Sequence, residues 1–444
     1  MTETPVHRLV LKLGFPAIIS MLITNIYNLT DTYFVSSLGK SQSGATGIVF
    51  ALMALIQAFG FTLGHGCGGL ISRFLGDQKK EQVAAFSATA FYVSILSGVL
   101  LGILSGCFLT PLLNLLGSTD SILPYARTYA VYILISTPAM MCAIVLNNLL
   151  RYEGKAAYAM TGLASGGLLN ILLDFVFIRI LKLAMHGAGI ACTVSQYLSV
   201  LVLLIPFLKG KSALSIRPAD FAKDLKIILE ILKNGVPSLL RQGLSFFALL
   251  LLNRAIRSFG DEAIASVSIA SRISNLIFCI GLGIGQGFQP VCAYNYGAKQ
   301  FKRVKSAAIF SFLFSEILLL ALTVVSCFFS KELIGLFQSD KQIVAIGQKA
   351  LYAQSLSLIT IPLSACGNMM FQSVSKEGLS SFLASLRNGI CFFPLILLLP
   401  RFFGINGVLY SQAIADIVAA FISLPFLVHF LHELSREDRS AQKT

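Results

Sequence analysis

Apolar runs of about twenty residues or more recur along the whole chain, and each ends at a short island of Lys, Arg, Asp or Glu. Such a chain has few places to fold except a bilayer. There every backbone N–H and C=O must be satisfied within the protein, so the spans must be helices or a closed barrel. Barrel strands are only about ten residues long and alternate in polarity. These runs are longer and do not alternate, so helices are predicted. Composition agrees: 56% of the 444 residues are hydrophobic and 12% are charged, against about 25% charged in soluble domains. The formal net charge of +14 would suggest nucleic acid in a soluble protein. Here the cations sit mostly in the islands between spans, where they orient the chain, so the expected partner is the lipid bilayer and not nucleic acid. The nine Cys are scattered singly, with no C-x-x-C pair and no His at ligand spacing, and read as small buried residues.

The runs predict an all-α, polytopic protein of about twelve transmembrane helices. Six fall near 9–38, 45–72, 84–108, 122–150, 157–180 and 187–208, and six more near 229–258, 263–296, 304–330, 342–371, 379–400 and 405–431. The expected organisation is an N-terminal six-helix bundle (1–208), a cytoplasmic linker (209–228), a C-terminal six-helix bundle (229–431) and a frayed polar tail (432–444). The larger share of Lys and Arg, including Arg73, Lys79, Lys80, Arg151, Lys155 and the whole linker, falls on the side that holds both termini. By the positive-inside rule that side is cytoplasmic, in a multi-pass protein of the cell membrane.

The two bundles are copies. LKLGFPAIIS from Leu11 matches LKNGVPSLLR from Leu232 at an offset of 221. At that offset Gly39 meets Gly260, Gly60 meets Gly281, Gly64 meets Gly285, Gly66 meets Gly287 and Gly76 meets Gly297. Near the ends of the halves, GAGIACTVSQ and GVLYSQAIAD align at 220. An even number of helices per copy makes the repeats parallel, and parallel repeats build transporters that rock about a central cavity. The repeated Gly-x-Pro (Gly14 to Pro16, Gly235 to Pro237) marks either a kink or a helix start.

Ionisable residues inside spans are costly and therefore functional candidates. Asp31 in the first helix and Asp174 in the fifth lie at similar depth, each roughly 10 Å from the outer end of its helix. Tyr27 and Asn28 precede Asp31 by one helical turn, and Asn170 shares a face with Asp174. Thr193 and Gln196 in the sixth helix complete the group, with Cys192 exchanging places with Thr193 on a one-residue shift of register. A carboxylate taken out of water favours a bound proton, and two acids among amide and hydroxyl oxygens equally suit a sodium ion, so Asp31 and Asp174 are also the candidate metal ligands. Asp416 and Glu316 are the candidates in the second half. Arg241, Arg272 and Arg387 fall within spans and are expected to pair with an acid or line a wet cavity. His65 reads as a packed, hydrogen-bonded imidazole. There is no Walker-type motif and no enzyme signature, so the chain reads as a transporter without a cofactor.

Several segments resemble the MATE (multidrug and toxic compound extrusion) family: PAIISMLITNIYNLTDTYFVSSLG, SRFLGDQKKEQ with its counterpart AYNYGAKQFKRV, GQGFQPVCAYNYGA, LLRYEGK and NILLDFVFI. The resemblance covers nearly the whole chain. It implies a monomeric antiporter that expels amphipathic, often cationic small molecules as protons or sodium ions enter. It also implies that Asp31, Asp174, Asn170 and Thr193 match the coupling and drug-binding positions of the DinF-like branch. The NorM-like branch adds acids in the seventh and tenth helices, and SLLRQGLSFFALLLLNRAI and LYAQSLSLITIPLSACGNMMF have none. The alternative is a lipid-linked saccharide flippase of the same superfamily, which the paired acids disfavour.

Overall fold

The computed structural model describes residues 1–337 and 340–441. Among these the fold is all helix. In the first half come α1 (Val6–Ser36), α2 (Lys40–Gly76), α3 (Lys80–Cys107), the short α4 (Leu109–Leu115), α5 (Leu123–Tyr152), α6 (Ala156–Asp174) and α7 (Ala184–Leu208). In the second come α8 (Leu225–Arg257), α9 (Asp261–Gly297), α10 (Phe301–Phe328), the short α11 (Ser330–Gly335), α12 (Lys341–Leu358), α13 (Gly367–Ser373), α14 (Glu377–Ser385) and α15 (Phe392–Ala441). π-Helical turns at Phe175–Ile180, Pro362–Cys366 and Leu386–Ile390 extend α6, join α12 to α13, and join α14 to α15. Eleven continuous helical segments are long and apolar enough to cross a bilayer. The last, Glu377–Asp438, is broken at Gly404 (φ 56°, ψ −135°), in the left-handed half of backbone space that only glycine enters freely, and so makes two crossings.

The repeat is visible in the helix boundaries. α2 and α9, α3 and α10, and α6 and α14 each begin at an offset of 221, and the ends of α2 and α9 keep it too. The turns before α2 and α9 both use a positive-φ glycine, Gly39 and Gly260. The short helices α4 and α11 are a pair that hydropathy did not predict, because each is only about two turns long. The polar tail expected to fray from residue 432 is instead helical through Ala441. Lys376 pairs with Glu433 at 2.6 Å, Lys305 donates to the Ser435 hydroxyl at 2.7 Å, and Leu434 is fully buried. Those contacts hold the extra turns down.

The chain divides into two compact units. One comprises Met1–Ile18 and Leu240–Thr444, the other Ile19–Leu239. Each unit thus takes in the opening turns of the helix that begins the other half. The reason lies in the repeated glycines. In the second unit α8 lies so close to α2 that a Cβ on Gly235 would sit 2.1 Å from the Thr62 carbonyl oxygen, and one on Gly66 would sit 2.2 Å from that of Ile231. In the first, a Cβ on Gly287 would meet the Gly14 Cα at 2.3 Å. Helices α1 and α8 continue through Pro16 and Pro237, so Gly-x-Pro is not a helix start, and its glycine marks a close backbone approach. The linker packs on the Ile19–Leu239 unit: Glu153 accepts from the Ser212 hydroxyl and the Ala213 N–H, both at 2.6 Å, and Tyr92 donates to the Ile216 carbonyl at 3.0 Å.

Both units are apolar outside and partly polar inside. Leu96 and Phe402 are 69% and 78% exposed, whereas Ser87, Ser136, Ser238, Ser311 and Ser355 are fully buried. Lipid is as apolar as leucine, so helices in a bilayer associate through small residues and interhelical hydrogen bonds. α5 is the most enclosed of the spans, burying Tyr129, Met141, Leu146 and Tyr152.

Gly235→Ala is expected to lower the melting temperature of the purified protein, by an amount equivalent to roughly 1–3 kcal/mol of overpacking. Gly243→Ala on the same helix, where a Cβ meets nothing within 4 Å, should leave it unchanged. Equal melting temperatures for the two variants would refute the close approach.

Candidate functional site

In the Ile19–Leu239 unit, α6 is drawn against α1 and α7 by the small residues Gly166 and Gly167. A Cβ on Gly167 would stand 3.0 Å from Ile23 and 3.1 Å from Tyr27, both on α1, and one on Gly166 would stand 2.9 Å from Ser199 on α7. This packing brings Asp174, at the last turn of α6, and Asp31, on α1, into each other's electrostatic field. Asp174 is fully buried, Asp31 nearly so, and Asn170 lies one turn before Asp174 and is buried with it. The helix widens into π turns directly after Asp174, a distortion frequent where a helix carries function.

The acids have little support. Tyr129 on α5 donates its hydroxyl to Asp31 Oδ2 at 3.1 Å. Among the described residues no donor reaches Asp31 Oδ1, either carboxyl oxygen of Asp174, or Asn170 Oδ1, and the two carboxyl groups interact directly with each other. A cavity of about 100 Å³ opens beside them, lined by Tyr27, Gln57, Phe61, Asn170, Cys192 and Gln196 among others, with no basic side chain. Two bare carboxylates held in low dielectric without a counter-charge cost several kcal/mol each. A proton or another cation bound there would relieve that cost. Asn170 Oδ1 and the carboxyl oxygens are also the hard donors that a sodium ion takes.

The other predicted residues fall as follows. Tyr27, Asn170 and Gln196 line the cavity with the acids beside it. Asn28 is half-buried on α1, and its backbone carbonyl accepts from Thr32. The Thr193 hydroxyl is spent on backbone carbonyls, that of Tyr132 at 3.0 Å and that of Gly189 at 2.9 Å, and its neighbour Cys192 lines the cavity. Tyr129, Gln57 and Phe61 were not anticipated. Tyr129 left one trace in the sequence: a phenol inside a span needs a polar partner. His65 stacks on Phe61, ring centroids 5.1 Å apart, and bonds the Ser238 hydroxyl through Nδ1 at 2.9 Å.

The second-half candidates are differently placed. Asp416 is fully buried but fully supported. Arg387 donates from Nε to Oδ1 at 2.8 Å and from Nη2 to Oδ2 at 3.2 Å, while Ser357 (2.5 Å) and Gln412 (2.8 Å) add two more donors. Glu316 sits half-buried on α10.

A family model described as MatE matches residues 16–176 and 237–398, once in each half. The multidrug export protein MepA of Staphylococcus haemolyticus is 27% identical over 444 residues, covering 99% of this chain and 97% of that protein. The MepA of Staphylococcus aureus strain MRSA252 is 25% identical over 443 residues, with the same coverage. Among solved structures, a multidrug resistance MATE family transporter of the MOP superfamily in its outward-facing conformation superposes with a TM-score of 0.92. It is 26% identical, covering 98% of this chain and 97% of that one.

The unsupported acids make a stability prediction. Asp174→Asn replaces one carboxylate by an amide that can donate to Asp31, so the variant should melt at or above the parent temperature at neutral pH, a gain of about 1 kcal/mol. A clear loss of stability would mean that Asp174 has a structural partner.

Proposed function

The chain belongs to the MatE family of membrane transporters, and from that premise we propose that it is an ion-coupled exporter of small amphipathic, often cationic molecules. Its similarity to the staphylococcal multidrug export proteins supports a broad small-molecule substrate class. The carrying observation is the set of unpartnered oxygens on Asp31, Asp174 and Asn170, beside a cavity with no basic side chain. This pocket takes one positive charge at a time. A proton or sodium ion in place cancels one of the two negative charges of Asp31 and Asp174, so a cationic substrate is held far less strongly. When the ion leaves, the bare carboxylates attract the substrate cation, while Tyr27 and Phe61 offer aromatic faces to its apolar body. Inward passage of the ion therefore drives outward passage of the substrate.

In this reading the two acids divide the work. Asp31 stays oriented by the Tyr129 hydroxyl, which holds one oxygen while the other faces the exchange. Asp174, with neither oxygen held, is the acid whose charge is most readily gained or lost. The π turns after it leave the end of α6 less tightly ladder-bonded than an α-helix, so small movements of the carboxyl cost little. The two repeats alternate access to the pocket, working as a monomer in the cell membrane with both termini on the cytoplasmic side.

The test is export of a fluorescent lipophilic cation from proteoliposomes under an inward proton or sodium gradient, each imposed alone. One gradient should drive export. Asp31→Asn and Asp174→Asn should each lower the gradient-driven rate by on the order of tenfold or more, about 1.4 kcal/mol or beyond. Export that survives in both variants would remove the acid pair from the mechanism.

A further inference from the structure

The duplication supplies the Met1–Ile18 and Leu240–Thr444 unit with a cavity of its own, about 250 Å³ in volume. It is the repeat counterpart of the cavity beside Asp31 and Asp174. At an offset of 221, Thr24, Tyr27 and Gln57 of the first cavity become Ser245, Ala248 and Phe278 of the second, and Gly166 and Gly167 become Arg387 and Asn388. The chemistry is exchanged. Asp31 corresponds to Leu252, which lines the second cavity, and Asp174 corresponds to Leu395. Where the first unit has a glycine and two acids, the second has an arginine and two leucines.

Arg387 is set up to receive an acceptor. It lies in the π-helical stretch Leu386–Ile390, which turns it into the unit. Asp416 takes the Nε and Nη2 side of the guanidinium, and the ring of Phe278 lies under its face, 4.9 Å from the guanidinium carbon to the centroid. Among the described residues Nη1 has no hydrogen-bond partner, and Arg387 lines the cavity. The free edge of a guanidinium held flat in this way is a fork for the two oxygens of a carboxylate. A second group points the same way: the Ser274 hydroxyl lines the cavity, is buried to more than nine-tenths, and has no hydrogen-bond partner. Asn388 and Gln412 bring amides, and Phe278 and Phe392 supply the apolar wall.

We propose that this cavity is a second ligand site, which binds the carboxylate end of an amphipathic aromatic molecule through Arg387 and Ser274. Asp416 already neutralises the arginine, so the site needs no counter-ion when empty. The bound carboxylate shares the guanidinium with Asp416, which keeps the affinity modest and the exchange fast. The chain then handles acidic or zwitterionic compounds at one site and cationic ones at the other.

Binding to the full chain in nanodiscs tests this with three probes of one shape: 2-naphthoate, 2-naphthamide and 2-naphthylmethylammonium. In the Asp31→Asn/Asp174→Asn background, which silences the cation site of the other unit, the chain should bind naphthoate about tenfold more tightly than the ammonium, with the amide between them. Arg387→Gln alone strands a buried Asp416 and can unfold the protein. The double variant Arg387→Gln/Asp416→Asn keeps two hydrogen-bonding amides, and it should erase the preference for naphthoate. Ser274→Ala, which leaves the ion pair alone, should weaken naphthoate several-fold and the ammonium hardly at all. Asp174→Asn in the other unit should bind naphthoate as the parent does, so failure of this site is separable from failure of the acid pair as the coupling site. Equal affinity for the three probes, or a naphthoate preference that survives in the double variant and in Ser274→Ala, would overturn the proposal.

Discussion

Gly66 and Gly235 let the backbones of α2 and α8 touch, and Gly14 and Gly287 do the same for α9 and α1. The rest of the architecture depends on these contacts. A bilayer offers no hydrophobic drive to press helices together, so closeness must come from side chains that are absent. The first turns of α1 belong to one unit and its remainder, which carries Asp31, to the other. Within the Ile19–Leu239 unit the position of the Asp31 carboxyl is set by the packing of α1 against α6 and by the Tyr129 hydroxyl rather than by a loop.

The two cavities differ in charge on one duplicated scaffold: two acids in one unit, a paired arginine and acid in the other. In the Ile19–Leu239 unit the acids are buried beside each other with a single phenol donating to Asp31, an arrangement that is costly when empty and is relieved by a cation. In the other unit Asp416 is met by Arg387, Ser357 and Gln412, an arrangement that is satisfied when empty. The difference identifies Asp416 as the partner of an arginine; in the proposed function the exchange of ions falls to Asp31 and Asp174. Divergence after duplication has changed the lining and also moved the π turns, which follow Asp174 in one repeat and fall at Arg387, about ten residues earlier in register, in the other.

Much of this was legible in the sequence because a bilayer forces it. Long apolar runs must be helices, glycines repeated at one offset mark a duplication, and a carboxylate inside a span needs a reason. Asp31, Asp174 and Asn170 could therefore be grouped before any coordinates. The choice between Thr193 and Cys192 could not, because one residue turns a helix by about 100° and no polarity pattern fixes the phase of α7. Tyr129 was hidden in an apolar run where tyrosine usually packs as a ring. The short helices α4 and α11 and the π turns leave no hydropathy signal. The polar tail looked free because its partners, Lys376 and Lys305, are distant in sequence. Arg387 was noted as a cation within a span, but its pairing with Asp416, 29 residues away, follows from the packing of α15 against the π turn.

The central claim is that substrate and coupling ion compete for the same pair of carboxyls. The most direct measurement is the ion released on binding. Purified protein is titrated with a lipophilic cation in weakly buffered, sodium-free solution with a pH indicator, and in parallel with radioactive sodium bound. The account predicts that each substrate cation bound displaces about one proton or one sodium ion, and that the double variant Asp31→Asn/Asp174→Asn releases neither. Substrate binding at full affinity with no release of either ion would contradict it.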